Sequence, residues 1–170
     1  MSPTPAGSCP SRCRDTSAST PLFPFGHGLS YTTFDYGPLE LASDTVDVGG
    51  ALRVSLAVTN TGSRRGTEVV QLYAADTATG VTLPMQQLVG FARVDLEPGA
   101  SRTVSFAVPM SLLAYTGPSG ELVMEPGPVE LSAGSSSSDI RSTATFTVSG
   151  QTRRIHGEER AFLSTATVGS

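Results

Sequence analysis

Leu52-Arg53-Val54-Ser55-Leu56-Ala57-Val58 is the stretch on which the fold depends. Large apolar side chains occupy the even-numbered positions, and Arg53, Ser55 and Ala57 fall between them. Successive side chains of a strand point to opposite faces, so this spacing describes a strand with one dry face and one wet one. A helix would place its apolar residues three and four apart. The run stops at Asn60-Thr61-Gly62, three residues that favour turns.

The same reading extends outward. Val104, Phe106 and Val108 alternate with Thr103, Ser105 and Ala107, and Ala144, Phe146 and Val148 alternate with Thr143, Thr145 and Thr147. Residues 69–73 form a nearly continuous apolar run of the kind a central strand carries, and 88–94 follows a loop containing Gly80 and Pro84. Strands are expected at 39–41, 52–58, 69–73, 88–94, 103–108, 129–133 and 144–148, with a weaker one at 122–124 and a single helical turn at 110–114. Glu97-Pro98-Gly99 and Glu125-Pro126-Gly127 each place Pro where φ is near −65° and Gly where φ is positive, the needs of a type II turn, so each is expected to reverse the chain. Seven short antiparallel strands with regular turns describe an all-β sandwich of the immunoglobulin-like or fibronectin-like kind.

Composition narrows the function. Lys and Arg total 11 against 15 Asp and Glu, a net charge of −4, and every cation is an arginine. Binding a nucleic acid needs a basic stripe, and the arginines cluster no further than the pairs Arg64, Arg65 and Arg153, Arg154, so no nucleic-acid partner is expected. No apolar run approaches the roughly 20 residues needed to span a bilayer, and the first residues lack the apolar core of a signal peptide. No membrane partner is expected, and the chain is read as cytoplasmic as expressed, with the compartment of any parent enzyme left open. Cys9 and Cys13 are the only cysteines. Two thiols without histidines nearby do not complete the four ligands of a structural zinc site, so they are read as incidental or as a local disulfide, and neither metal nor cofactor is expected.

Pro21-Leu22-Phe23-Pro24-Phe25-Gly26-His27-Gly28-Leu29-Ser30-Tyr31-Thr32 resembles the "PFGHGLSYT" signature at the junction that leads into the fibronectin type III-like domain of family three glycoside hydrolases. Five further motifs are similar to that module in the same order: 58–62, 66–73, then Gln87-Leu88-Val89-Gly90-Phe91, then Leu96-Glu97-Pro98-Gly99, and finally 134–140 before the last strand. The resemblance implies a C-terminal module of a β-glucosidase or β-xylosidase. It divides the chain into a leader at 1–20, the junction at 21–36, a seven-stranded antiparallel fibronectin type III-like sandwich at 37–149 and a polar tail at 150–170.

Residues 1–20 do not match the family, which carries a "G-x-LPV-x-x-PR" stretch at that place. With G/C-rich codons, skipping two bases within 7–16 restores Q-L-P-V and P-R-H, so the leader is read as frameshifted or truncated.

Retaining glycoside hydrolysis needs two carboxyl groups about 5 to 5.5 Å apart. The resemblance places both in upstream domains, and the carboxylates of this chain, among them Glu40, Asp44, Asp47, Glu68, Asp95 and Glu97, are expected as solvated charges at turns or outward strand positions. No catalytic or substrate-binding residue is therefore assigned. The candidate interface residues are Phe23, Phe25, Gly26, His27, Gly28, Leu29 and Tyr31. The two glycines are expected to let the backbone turn and approach a neighbour, and the apolar side chains to supply contact area. His27 lacks a visible partner to set its tautomer, and His156 has a weaker claim still, so both are read as structural. The expected function is a non-catalytic accessory module whose partners are the upstream hydrolase domains, with self-association of the isolated module. The alternative is a carbohydrate-binding sandwich, which usually needs an aromatic platform; the chain has no tryptophan, seven phenylalanines and four tyrosines.

Overall fold

A computed structural model describes residues 21–76 and 86–169. The leader expected at 1–20 and the loop with Gly80 and Pro84 lie outside the described residues. Among the described residues there are thirteen strands: β1 (Phe34–Tyr36), β2 (Glu40–Leu41), β3 (Thr45–Asp47), β4 (Ala51–Asn60), β5 (Gly66–Asp76), β6 (Gln87–Leu96), β7 (Ser101–Pro109), β8 (Tyr115–Thr116), β9 (Leu122–Met124), β10 (Gly127–Ser136), β11 (Asp139–Ser149), β12 (Arg153–Arg154) and β13 (Thr165–Val168). One sheet has the order β1-β4-β7-β13, with β2 also on β4. The other runs β3-β11-β10-β5-β6, and β12-β9-β8 form a small third sheet.

The alternation at 52–58 does what its period implies. Leu52, Val54, Leu56 and Val58 of β4 are buried together with Val104, Phe106 and Val108 of β7. From the other sheet, Val70 and Leu72 of β5, Val94 and Leu96 of β6, Leu131 of β10 and Phe146 of β11 enter the same cluster. Burial of such side chains contributes about 1.5–3 kcal/mol each, which is why the two sheets close on one core. The expected helical turn is a 3-10 turn at Met110–Leu113 that buries Met110 and Leu112.

Four expectations are corrected. The count of seven is too low, because β1, β3, β8, β12 and β13 were not foreseen; strands of two to four residues are too short to display a period, and a neighbouring edge creates them. The pairing is not wholly antiparallel, since β3 runs parallel to β11 with Val46 opposite Val148. Glu97-Pro98-Gly99 is a type II turn, with Gly99 at φ +75° and the Ala100 N–H donating to the Glu97 carbonyl at 3.0 Å. Glu125-Pro126-Gly127 is not: Gly127 opens β10 opposite Val148, an extended position without positive φ, and the segment crosses from the small sheet to the large one. The polar tail at 150–170 instead carries β12 and β13 and a buried Ile155, and β13 pairs with β7 from Thr165↔Ala107 to Val168↔Val104.

Candidate functional site: the junction segment and its groove

The junction segment lies over β5 and the β10–β11 hairpin and is held by its backbone. The His27 N–H donates to the Pro24 carbonyl at 3.0 Å, closing a turn in which Gly26 sits at φ +79°. The Phe25 carbonyl accepts from the Ser137 N–H at 2.9 Å. The Gly26 carbonyl accepts from Gln71 Nε2 at 3.2 Å, and the same amide donates to the Ser135 carbonyl while Tyr73 Oη donates to Gln71 Oε1. A Cβ at Gly26 would stand 2.1 Å from Gln71 Oε1, so both positive φ and close approach call for glycine there. At Gly28 φ is not positive, and a Cβ there would meet nothing of this chain within 4 Å.

The side chains of this segment point away. Phe23 is 68% exposed, Phe25 65%, Leu29 94% and Tyr31 93%. The His27 ring faces Phe23 with centroids 5.5 Å apart. A short segment therefore spends its backbone hydrogen bonds on the sandwich and leaves its apolar area uncovered.

At its C-terminal end the segment reaches Asn60, the turn residue of the opening stretch, which is fully buried. Thr32 Oγ1 donates to Asn60 Oδ1 at 2.8 Å, and Asn60 Nδ2 donates to the Arg64 carbonyl at 2.7 Å and to the Leu96 carbonyl at 3.0 Å. Asn60 thus ties the junction to the loop between β4 and β5 and to the end of β6. By its sequence alone Asn60 reads only as a turn residue.

Between the segment and the sandwich lies a groove of about 620 Å³ that reaches from Gly26 and Leu29 to a polar cluster on β1, β5 and β11. Tyr36 Oη donates to Glu68 Oε1 at 3.1 Å. Arg141 pairs bidentately with Asp139, at 2.6 and 2.7 Å, lies 5.7 Å from the centre of the Tyr36 ring and donates to the Phe34 carbonyl at 3.3 Å. Burial raises the Glu68 carboxyl above its ordinary pKa, although the Tyr36 hydrogen bond opposes this. Burial, then the Glu68 charge, pushes the Tyr36 phenol up as well. Hydrogen bonds from Arg141, then from Ser135, hold Asp139 at about 2. Glu68 is therefore not the solvated charge that its strand position suggested; it is half-buried and partnered, whereas Glu40, Asp44, Asp47, Asp95 and Glu97 are exposed. The cluster ties β1 of one sheet to β5 and β11 of the other. Among the described residues no group of three or more His, Cys, Asp or Glu stands together in a way that could hold a metal ion.

The chain is similar to known proteins over this whole region. The family "Fibronectin type III-like domain" matches residues 68–137. A "Beta-xylosidase" of Formosa agariphila is 44% identical over 133 residues, 78% of this chain and 18% of that protein. A "Periplasmic beta-glucosidase" of Salmonella typhimurium is 38% identical over 73% of this chain and 16% of its own length. Among solved structures, "beta-glucosidase 3B from Thermotoga neapolitana in complex with glucose" superposes with a TM-score of 0.72 at 39% identity, over 79% of this chain and 18% of that one. The chain spans less than a fifth of the length of these relatives, in which the matched region is a small part of a larger enzyme. The chain thus carries the fibronectin type III-like domain of the family three glycoside hydrolases, a family of β-glucosidases and β-xylosidases.

Proposed function

We propose that this chain is a non-catalytic accessory module of a β-glycoside hydrolase, which docks on the domains that hydrolyse terminal β-glucosyl or β-xylosyl residues and stabilises them. The observation that carries the reading is the junction segment: its backbone is fastened to the sandwich while Phe23, Phe25, Leu29 and Tyr31 stand in water. Covering such side chains is worth about 1.5–3 kcal/mol each, so four supply several kcal/mol to an interface before ordering costs are subtracted. The seven strands expected from the sequence, β2, β4 to β7, β10 and β11, are the framework of the module in this reading, and β1, β3 and β13 extend its two sheets.

The carboxylates support a structural assignment. Asp139 is committed to Arg141 and Glu68 to Tyr36, which leaves no paired acid and nucleophile in the groove. The purified chain is expected to release no aryl alcohol from aryl β-glucosides or β-xylosides, and Phe25→Ser with Leu29→Ser is expected to reduce its self-association in sedimentation. Turnover abolished by changing one carboxylate of this chain would refute the reading. A titration with cello- or xylo-oligosaccharides separates it from sugar binding, since saturable binding at millimolar or lower concentration would favour a carbohydrate-binding module.

A further inference from the structure

The exposed apolar side chains of the described residues are unevenly placed. The outer face of β4 and β7 shows Arg53, Ser55, Ala57, Thr103 and Ser105, all small or polar, and among the described residues the one large exposed apolar side chain on the strands of that sheet is Val168 of β13, 37% exposed. The outer face of β5 and β6 carries Val69, 41% exposed, and Phe91, 51% exposed. Phe91 stands directly across from Gln71, whose amide holds the Gly26 carbonyl, so its ring lies beside the anchor of the junction segment. Val69 lines the same groove as Leu29. Beyond them, at the outer edge of β6, Phe162 and Leu163 are also exposed. They are held there by the Ser164 N–H donating to the Val89 carbonyl at 2.7 Å and the Ala161 N–H donating to Ser111 Oγ at 3.3 Å.

We infer that one docking face runs from the junction segment across the outer side of β5 and β6 to Phe162 and Leu163, and that its occupant is the remainder of the same hydrolase. The inference rests on the accessory-module reading and adds which side of the sandwich is covered. Three observations favour this occupant. The relatives carry more than four-fifths of their length outside the matched region, so a large neighbouring body belongs to the same polypeptide. On β5 and β6 the surface continues the one offered by Phe25 and Leu29, since Val69 lines the groove of Leu29 and Phe91 lies across from Gln71, and residues 161–164 then lead on to β13 of the other sheet. It also includes the outer edge of β6, the last strand of its sheet, which among the described residues is hydrogen-bonded by this chain at Val89, and the remaining length of a long edge is commonly covered to prevent pairing with other chains. The face accounts for the motif Gln87-Leu88-Val89-Gly90-Phe91: Gly90 admits Ser164, since a Cβ there would stand 2.0 Å from Ser164 Oγ, and Phe91 presents its ring outward.

The test places single cysteines in a background with Cys9→Ser and Cys13→Ser. Thiol labelling is read in the free chain and in a Thermotoga neapolitana β-glucosidase 3B whose matching region is replaced by this module, with assembly verified by its activity. Thiol reactivity follows exposure. Phe91→Cys and Phe162→Cys should label slower, by on the order of tenfold, in the spliced enzyme, and Ser55→Cys at the same rate in both. Slowing of Phe25→Cys with unchanged Phe91→Cys and Phe162→Cys, or slowing of Ser55→Cys instead, overturns the inference and leaves the accessory-module reading intact. Unchanged Phe25→Cys sinks that reading as well. Should the spliced enzyme lack activity, the same rates are read on the free chain mixed with excess hydrolase from which the matching region has been removed, and the same outcomes decide.

Discussion

Asn60→Ala should be among the most damaging single polar substitutions in this chain. The side chain is fully buried and makes four hydrogen bonds: its amide donates to the Arg64 and Leu96 carbonyls, and its oxygen accepts from Thr32 Oγ1 and the Gly62 N–H at 3.0 Å. A neutral hydrogen bond contributes about 1 kcal/mol net, and a buried group left unpaired costs about 1–3 kcal/mol. The Leu96 carbonyl is buried and has no water to turn to, whereas the groups at Thr32 and Gly62 are nearer the surface. A loss of about 3–5 kcal/mol follows, which for a chain of this size lowers the thermal midpoint by on the order of 10 °C. Chemical denaturation followed by circular dichroism reads the change as a shift in midpoint at constant slope. Thr32→Val removes one of the four bonds and should cost about 1 kcal/mol. Asn60→Asp is the sharper variant. It keeps the acceptor but turns a carboxylate toward two carbonyls, so its folded-state pKa is raised and its stability falls as pH rises through that value. It should be at least as harmful as alanine at pH 7 and recover partly in acid. An Asn60→Ala cost under about 1 kcal/mol, or an Asn60→Asp chain as stable as the parent at neutral pH, would refute the argument that this residue joins the loops.

Gly26→Ala places a Cβ against Gln71 in a φ region that costs an L-residue about 1–3 kcal/mol, so limited proteolysis should cut within 21–33 faster while the unfolding midpoint of the sandwich moves little. Gly90→Ala should destabilise the whole chain by crowding Ser164 Oγ and the Phe106 ring, and Ser164→Gly in the same chain should restore at least half of the loss, as a double-mutant cycle in denaturant would show. The two groove carboxyls give opposite pH trends. Glu68, raised by burial, contributes stability that is present below its unfolded pKa and lost as pH rises through its folded one, so Glu68→Gln should flatten the profile on that side of the acidic range. Asp139, held at about 2, contributes stability present above its unfolded pKa and lost as pH falls toward 2, and Asp139→Asn should remove that limb; unfolding midpoints measured across the acid range check both.

Local pattern and tertiary arrangement divide cleanly in this molecule. The long strands were legible because burial of one face requires period-two alternation, and β4, β7 and β11 display it plainly. The type II turn at Gly99 was legible because Pro and Gly meet its dihedral needs within three residues. The identical logic failed at Gly127, where pairing with Val148 overrode local turn chemistry. In the site, the residues of the junction were found from their motif, but the cluster of Tyr36, Glu68 and Arg141 was not, because its members are 32 and 73 residues apart and each alone looks like an ordinary strand residue.

The sequence by itself determined the all-β class, the principal strands and the kinship to the fibronectin type III-like module, since these depend on the order of side chains along the chain. Only the tertiary structure decided which partners the short strands take, that the C-terminal segment joins β7, that Asn60 is a buried tie and that the junction is fastened through its backbone with its aromatic rings outward. Those properties belong to pairs of groups distant in the chain, and hydrogen bonding and burial act on distance in space, which a linear pattern does not carry.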